Sequence, residues 1–350
     1  TDYKVDGLLS GRGQITGSVD NPQFNGYISS DALSVNGELL NDIHGRVYAD
    51  KSVVNVQDFT FAEADGGRYT AKGGMKFDDS RQLFGVLDVT NGSVKNLLTL
   101  LDRSNEHIDG KLNGSVEIGG TRDNPSVNVT GKINDVSIDE KIVGDATIDA
   151  SLANRKFKVT TLKLPVDEGL IAIGGTMDLD GQADLQVALK DVDIVPFLPL
   201  MGKDIQATGW VTGVVNITGE TKNPKVELSG AVESGSFNGV GIDEGFVLAT
   251  MQDQVIQIQR IQGAKSGYKL SVYGKIPLAA IFTSGYIPAN DSKSMDVTID
   301  FNEADMAVIP LLTTSVKEAT GPLKGTVHIT GTIDQPEAYG TVSVRNGTMK

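Results

Sequence analysis

The reading of this chain turns on Gly213-VVNITGETKNPKVELS-Gly230. Val215 and Ile217 alternate with Asn216 and Thr218, Val226 and Leu228 with Glu227 and Ser229, and Gly219 and Asn223-Pro224 stand between the two runs. Alternation with period two marks a strand with one dry face. Proline cannot donate to a sheet ladder and pushes the preceding residue out of the helical region. The stretch therefore predicts a strand, a bend and a second strand.

The block recurs. Counting back from Pro22, Pro125, Pro224 and Pro336, glycine returns at minus 15, minus 11 and minus 5. These are Gly7, Gly11 and Gly17, then Gly110, Gly114 and Gly120, then Gly209, Gly213 and Gly219, then Gly321, Gly325 and Gly331. A side-chain amide precedes each proline: Asn21, Asn124, Asn223 or Gln335. Spacings of 103, 99 and 112 residues set a repeat of about a hundred. Stacked repeats share one core, so residues 1–350 read as one continuous repetitive sheet with approximate units 1–108, 109–207, 208–319 and a partial 320–350. The chain is expected to be part of a longer protein.

Between blocks the alternation continues, as in Leu185–Leu189, Val255–Ile261 and Met295–Phe301. Six Asn-Gly pairs, at Asn25, Asn36, Asn91, Asn113, Asn238 and Asn346, predict tight turns. Each unit closes on one short helical stretch: Val94–Arg103, Val192–Gly202 and Ala304–Thr313. Residues 284–294 form a polar, Gly/Pro-containing insertion. The fold class is all-β, an elongated antiparallel sheet of roughly 25 strands if each strand and turn takes about 14 residues.

A net charge of −14 argues against nucleic acid, which needs clustered cations. There is no cysteine, hence no disulfide or thiolate metal site. No run approaches the ~18 apolar residues needed to span a bilayer.

No catalytic constellation emerges, and the expectation is a protein that is not an enzyme and carries no cofactor or metal. His44, His107 and His328 form no pair at ligand spacing. Gly11-Arg-Gly13 and Gly239-Val-Gly241 lack the spacing and the following helix of a dinucleotide loop. Asp178-Leu-Asp180-Gly181 reads as a hairpin turn rather than a calcium loop.

What remains is a dry face. Helices of about ten residues per hundred cannot cover so large a sheet, which leaves it curled around a long apolar trough. Uncovered troughs are costly in water and mark binding surfaces. Acyl chains suit one, at about 0.8 kcal/mol per buried methylene. The candidate lining residues are Ile15, Val116, Ile118, Leu185, Val187, Leu189, Val215, Ile217, Val297, Ile299, Phe301, Val327 and Ile329. On periodicity alone the same alternation serves equally a closed β-solenoid or an adhesin-like surface protein with a packed aliphatic core. A β-rich carbohydrate enzyme is a third reading, opposed by the lack of acidic and aromatic clustering.

The G-x-V-x-I-x-G-x-x-x-N-P pattern of Gly213–Pro224 resembles the TamB family, the inner-membrane subunit of the translocation and assembly module within the AsmA-like group. Asp65-GGRYTAKG-Gly74 and Gly267-YKLSVY-Gly274 resemble that family's glycine-bounded strands. The resemblance implies a taco-shaped groove in the periplasm of a diderm bacterium, carrying phospholipid between membranes and supporting outer-membrane biogenesis. It also implies an inner-membrane anchor outside residues 1–350 and an outer-membrane barrel partner.

Overall fold

A computed structural model describes residues 4–100, 107–201, 206–265, 268–280, 294–309, 319–332 and 335–349. Nearly all of them are strand. Strands β1 (Val5–Gly7), β2 (Ser10–Ser18), β3 (Asn21–Val35), β4 (Glu38–Ala49), β5 (Val53–Glu63), β6 (Arg68–Lys76) and β7 (Leu83–Ser93) lead into helix α1 (Val94–Leu100). Then follow β8 (Ile108–Gly120), β9 (Pro125–Ile138), β10 (Lys141–Ala153), β11 (Lys156–Val166), β12 (Gly169–Asp178) and β13 (Gln182–Asp193), with a 3-10 turn at Val195–Phe197 and α2 (Leu198–Met201). The third set is β14 (Ala207–Glu220), β15 (Lys225–Phe237), β16 (Val240–Gln252), β17 (Val255–Lys265), β18 (Tyr268–Pro277) and β19 (Met295–Asp305), closed by a 3-10 turn at Met306–Val308. Strands β20 (Ala319–Thr320), β21 (Pro322–Gly331), β22 (Pro336–Val344) and β23 (Thr348–Met349) end the chain. Twenty-one strands form one open antiparallel sheet, and β20 pairs with β23 apart from it.

From one strand-capping helical stretch to the next the chain makes six strands, β8–β13 and then β14–β19, with a further 3-10 turn at Leu278–Ala280 after β18. Two compact units divide the chain within β12, one holding residues 1–165 and 172–179, the other 166–171 and 180–350. This division cuts the second repeat instead of following the glycine blocks.

Each block is a hairpin, pairing β2 with β3, β8 with β9, β14 with β15 and β21 with β22. The minus-5 glycines Gly17, Gly120, Gly219 and Gly331 share φ between 77° and 90°. That left-handed conformation is strained for any residue with a Cβ, which explains why glycine recurs at the turn.

Asn36-Gly37 and Asn238-Gly239 are two-residue hairpin turns with both residues at positive φ. Asn346 lies in a bend. Asn25 and Asn113 instead lie inside β3 and β8. Their glycines, Gly26 and Gly114, face Gly13 and Gly131 across the ladder, so they serve close strand packing and not a turn. Asn91 sits at a bulge of β7 with φ 57°.

That bulge belongs to a device that sequence reading missed. Asn91, Asp191 and Glu303 all have positive φ at a register shift near the strand end. Two residues on, Ser93, Asp193 and Asp305 accept hydrogen bonds from the N–H groups of Asn96, Val195 and Ala307, at 3.0–3.1 Å. A bulge re-aims the chain and a cap then satisfies an orphan donor of the helical turn. The helical stretches are shorter than the sequence suggests: prolines 196 and 199 keep the second irregular, and Leu101–Arg103, Gly202 and Pro310–Thr313 lie outside the described residues.

Candidate functional site

In an antiparallel pair, directly opposed residues point to the same side of the sheet. Following the registers through the second unit gives rows of apolar residues. One row runs Val187, Val215, Leu228, Ala249, Ile258, Gly274, Val297, Ile329 and Ala338. The next runs Leu189, Gly213, Gly230, Val247, Ile261, Val272, Ile299, Val327 and Gly340. Leu185 and Ile217 flank the first row, and Leu270 with Phe301 the second. The opposite side reads Gln186, Asn216, Glu227, Thr250, Gln257, Lys275, Asp296 and Thr330. One face is dry and the other wet.

The first unit repeats the pattern. Gly13, Gly26, Val47, Val56, Gly73, Gly85, Ile118, Val127, Leu152 and Phe157 form one row. Val116 stands beside it between Leu87 and Val129. Ile15 pairs with Phe24 on the same side but is 75% exposed, since β2 is fully exposed along its length. Within each unit, then, every sequence-predicted lining residue falls on the dry face. Val297, Ile299 and Phe301 are buried in a cluster with Ala304, Met306, Val308 and Leu323. Sequence reading missed the members contributed by β4, β5, β15 and β16. Bulges such as that between Ile258 and Ile261 shift the alternation out of phase along a strand.

Glycines on this face differ in what surrounds them. A Cβ at Gly213 would stand 2.7 Å from the Ser229 carbonyl oxygen, so that position is closed by backbone. At Gly13 and Gly26 a Cβ would collide with the ring of Phe24, which lies across both. Gly245 and Gly263, opposed across β16 and β17, are open: their nearest neighbours would be 3.5 and 3.9 Å away.

Above that open pair lies a cavity of about 500 Å³. Its wall is almost entirely apolar and includes Val232, Val247, Ile261, Leu270 and Val272. Ile194 and Ala207 bound one side, Ala304 and Val308 the other. Strands β14 and β19 are five ladder steps apart, about 24 Å in a flat sheet. Flanking one cavity of this size requires the sheet of the second unit to curl around it. Lys265, Lys269 and Asp305 supply charge in the lining.

The first unit carries a buried polar network instead. Glu63, 4% exposed, accepts from the Tyr69 hydroxyl at 2.6 Å and from the Ser93 N–H at 2.9 Å. Ser93 donates through its hydroxyl to Asp109, which also accepts from the Lys95 and Gly110 N–H groups. Burial pushes the Glu63 carboxyl up, against the pull of its two donors, and neighbouring Asp65 adds to the rise. Burial also opposes ionisation of Asp65, but its ion pair with Lys111 outweighs this and holds it below the ordinary carboxylate value. Every carboxyl here has its partners, and the network pins the start of α1.

Among the described residues no group of three His, Asp or Glu is placed to hold a metal. His328 lies beside Thr298 and Asp296 on the wet face, and His107 pairs with Asp139. Leu179–Asp180 is a hairpin turn. No family model, curated protein or solved structure matches this chain.

Proposed function

We propose that this chain is a non-enzymatic segment of a lipid conduit, with phospholipid acyl chains lying along the dry face of the sheet. The observation that carries the reading is the continuity of the apolar rows. They run strand after strand within each unit, backed by a polar face, and no second sheet large enough to cover them exists among the described residues. A surface of this extent would be costly if left to water, and hydrocarbon chains gain from it without needing hydrogen-bond partners. The resemblance of the glycine–proline blocks to the TamB family supports reading such a conduit as periplasmic, between an inner-membrane anchor and an outer-membrane barrel partner.

The test is direct. The chain is purified from cells and its extract examined by mass spectrometry for co-purifying phospholipid. Val187→Asp with Ile217→Asp puts charge into two adjacent rows and is expected to remove most of that lipid while the wet-face control Gln186→Asp retains it. A lipid-free wild-type chain with a closed, fully packed core would sink the proposal in favour of a structural β-solenoid.

A further inference from the structure

The wet face of the second unit carries an apolar patch of Ala188, Trp210, Val214, Ala231, Phe246 and Leu248. Each alternates along its strand with a residue of the dry face, and the registers bring them together. Val214 opposes Ala188 on one side and Ser229 on the other, Ser229 opposes Leu248, and Ala231 opposes Phe246. Trp210 stands two residues before Thr212, which opposes Ala231. In a flat sheet the patch spans about 14 Å across its strands and about 14 Å along them. Trp210, Phe246 and Leu248 are exposed.

The repeat supplies a control for this patch. Counted from the block prolines, the Pro125 repeat has Lys111, Ser115, Lys132, Thr147 and Asp149 where the Pro224 repeat has Trp210, Val214, Ala231, Phe246 and Leu248. Asp88 opposes Ser115 where Ala188 opposes Val214. The pairings agree as well: Lys132 with Thr147 matches Ala231 with Phe246, and Thr130 with Asp149 matches Ser229 with Leu248. The Pro22 repeat is also polar at four of these places, with Arg12, Ser29, His44 and Arg46. The sheet therefore forms with polar residues here and does not require apolar ones. Six exchanges of polar for apolar on one outward surface, the only tryptophan of the chain among them, mark a docking surface.

Charge says what docks. In the Pro125 repeat Lys111 opposes Asn134 and pairs with Asp65. In the Pro224 repeat Trp210 opposes Glu233, and Glu233 opposes Glu244. Like charges directly opposed weaken a sheet. Lys269 stands in the same row beyond Ala264, yet neither glutamate forms an ion pair among the described residues. A cation from outside would lie over the indole face and relieve both carboxylates, while an apolar neighbour covers Phe246 and Leu248.

We propose that this outward patch docks a protein other than this chain, through a segment that carries an arginine or lysine beside an aliphatic or aromatic side chain. The inference does not rest on the conduit reading, since it concerns the opposite face of the sheet.

The experiment selects a phage-displayed library of random dodecapeptides against the whole chain. Recovered sequences are expected to combine Arg or Lys with an apolar residue. Their synthetic forms are titrated while the emission of Trp210 is recorded, and a saturable shift is expected. Phe246→Thr with Leu248→Asp installs what the Pro125 repeat already tolerates and should weaken binding about tenfold or more. Glu233→Gln with Glu244→Gln, nearly isosteric, should weaken it about fivefold and flatten its salt dependence. Asp149→Asn, at the matching place in the Pro125 repeat, should leave it unchanged.

If no selected peptide loses affinity in the folded Phe246→Thr, Leu248→Asp chain, the docking surface is overturned. Purely apolar peptides, indifferent to the glutamine variants, overturn the cationic chemistry. A Trp210 shift that follows the chain's own concentration, or the addition of phosphatidylglycerol–phosphatidylethanolamine vesicles, and that disappears with Leu248→Asp, gives the patch to another molecule of this chain or to a membrane and overturns the protein partner. Lipid loss in the Val187→Asp, Ile217→Asp chain is read separately, so the conduit stands or falls by itself.

Discussion

Gly13 and Gly26 oppose each other across β2 and β3 much as Gly245 and Gly263 do across β16 and β17, yet the two pairs have different surroundings. In the first unit the Phe24 ring lies across both glycines, Phe59 crowds Gly45, and Phe61 stacks on Tyr69 at 4.5 Å. In the second unit the glycine floor is bare and a cavity stands on it. Both pairs leave Cβ atoms out of the dry face, at different positions of the repeat: Gly13 and Gly26 stand where the third copy has Val215 and Leu228. Placement of aromatic rings decides whether that space is filled by the chain itself or left to something else. Phe237 and Phe246 line the cavity without covering its floor, and both remain substantially exposed.

Truncation should magnify this contrast most. Tyr69 is 1% exposed, stacked, and hydrogen-bonded to Glu63. Tyr69→Ala is expected to cost about 3–5 kcal/mol in urea unfolding. Phe237→Ala, at a half-exposed ring, should cost less than ~1 kcal/mol. Similar losses would mean the second unit is as tightly filled as the first.

Adding a methyl group reverses the direction. Gly13→Ala must displace the Phe24 ring and is expected to destabilise by about 1–3 kcal/mol. Gly263→Ala meets nothing closer than 3.9 Å and should be neutral or stabilising by about 0.4–1 kcal/mol, since it restricts the unfolded chain. A matched penalty at both sites would erase the distinction drawn between them.

A pH series sharpens the first unit alone. Glu63 is raised in the folded chain, so between the ordinary carboxyl value and its own the folded state binds the extra proton. Stability should therefore fall as pH rises through that window. Asp65 is lowered and acts oppositely, its contribution fading as pH drops below the ordinary range. Glu63→Gln should flatten the alkaline-side decline, read as the urea midpoint against pH; an unchanged profile would show that Glu63 does not titrate differently in the fold. The smallest expected effect is at Asp50. There the Ser52 hydroxyl and N–H, helped by the Tyr48 hydroxyl, hold the carboxyl at about 2. Carbon-detected NMR titration should find it there, and Ser52→Ala should move it toward the usual carboxylate range.

The parts of this molecule legible in its sequence are those governed by local rules. Alternation around Val215 and Ile217 identified the dry face because side-chain direction has period two. Gly219 and Asn223-Pro224 marked a hairpin because left-handed φ and a missing donor are local properties. Asn25 and Asn113 misled for the converse reason: an Asn-Gly pair encodes a turn only when the following glycine is not needed opposite another glycine across the ladder. The cavity was illegible because curl brings together Ile194 and Val308, which are distant in sequence. The Glu63 network was hidden likewise, as it joins β5, β6, β7 and β8. Even so, a small acceptor two residues after an acidic or amide residue, at 91/93, 191/193 and 303/305, was a readable cap signal.

Six strands separate the helical stretches after β7, β13 and β19, an even number, and this constrains how such a chain can change length. Every pairing from β13 to β19 is antiparallel, so β13 and β19 run the same way and their following helical turns leave from the same edge of the second unit's sheet. Loss or duplication of one strand would send the helical turn after β19 to the other edge. Gain or loss of a hairpin leaves the edges as they were. Length in this architecture is quantised in pairs of strands, so natural or engineered variants should differ by whole hairpins.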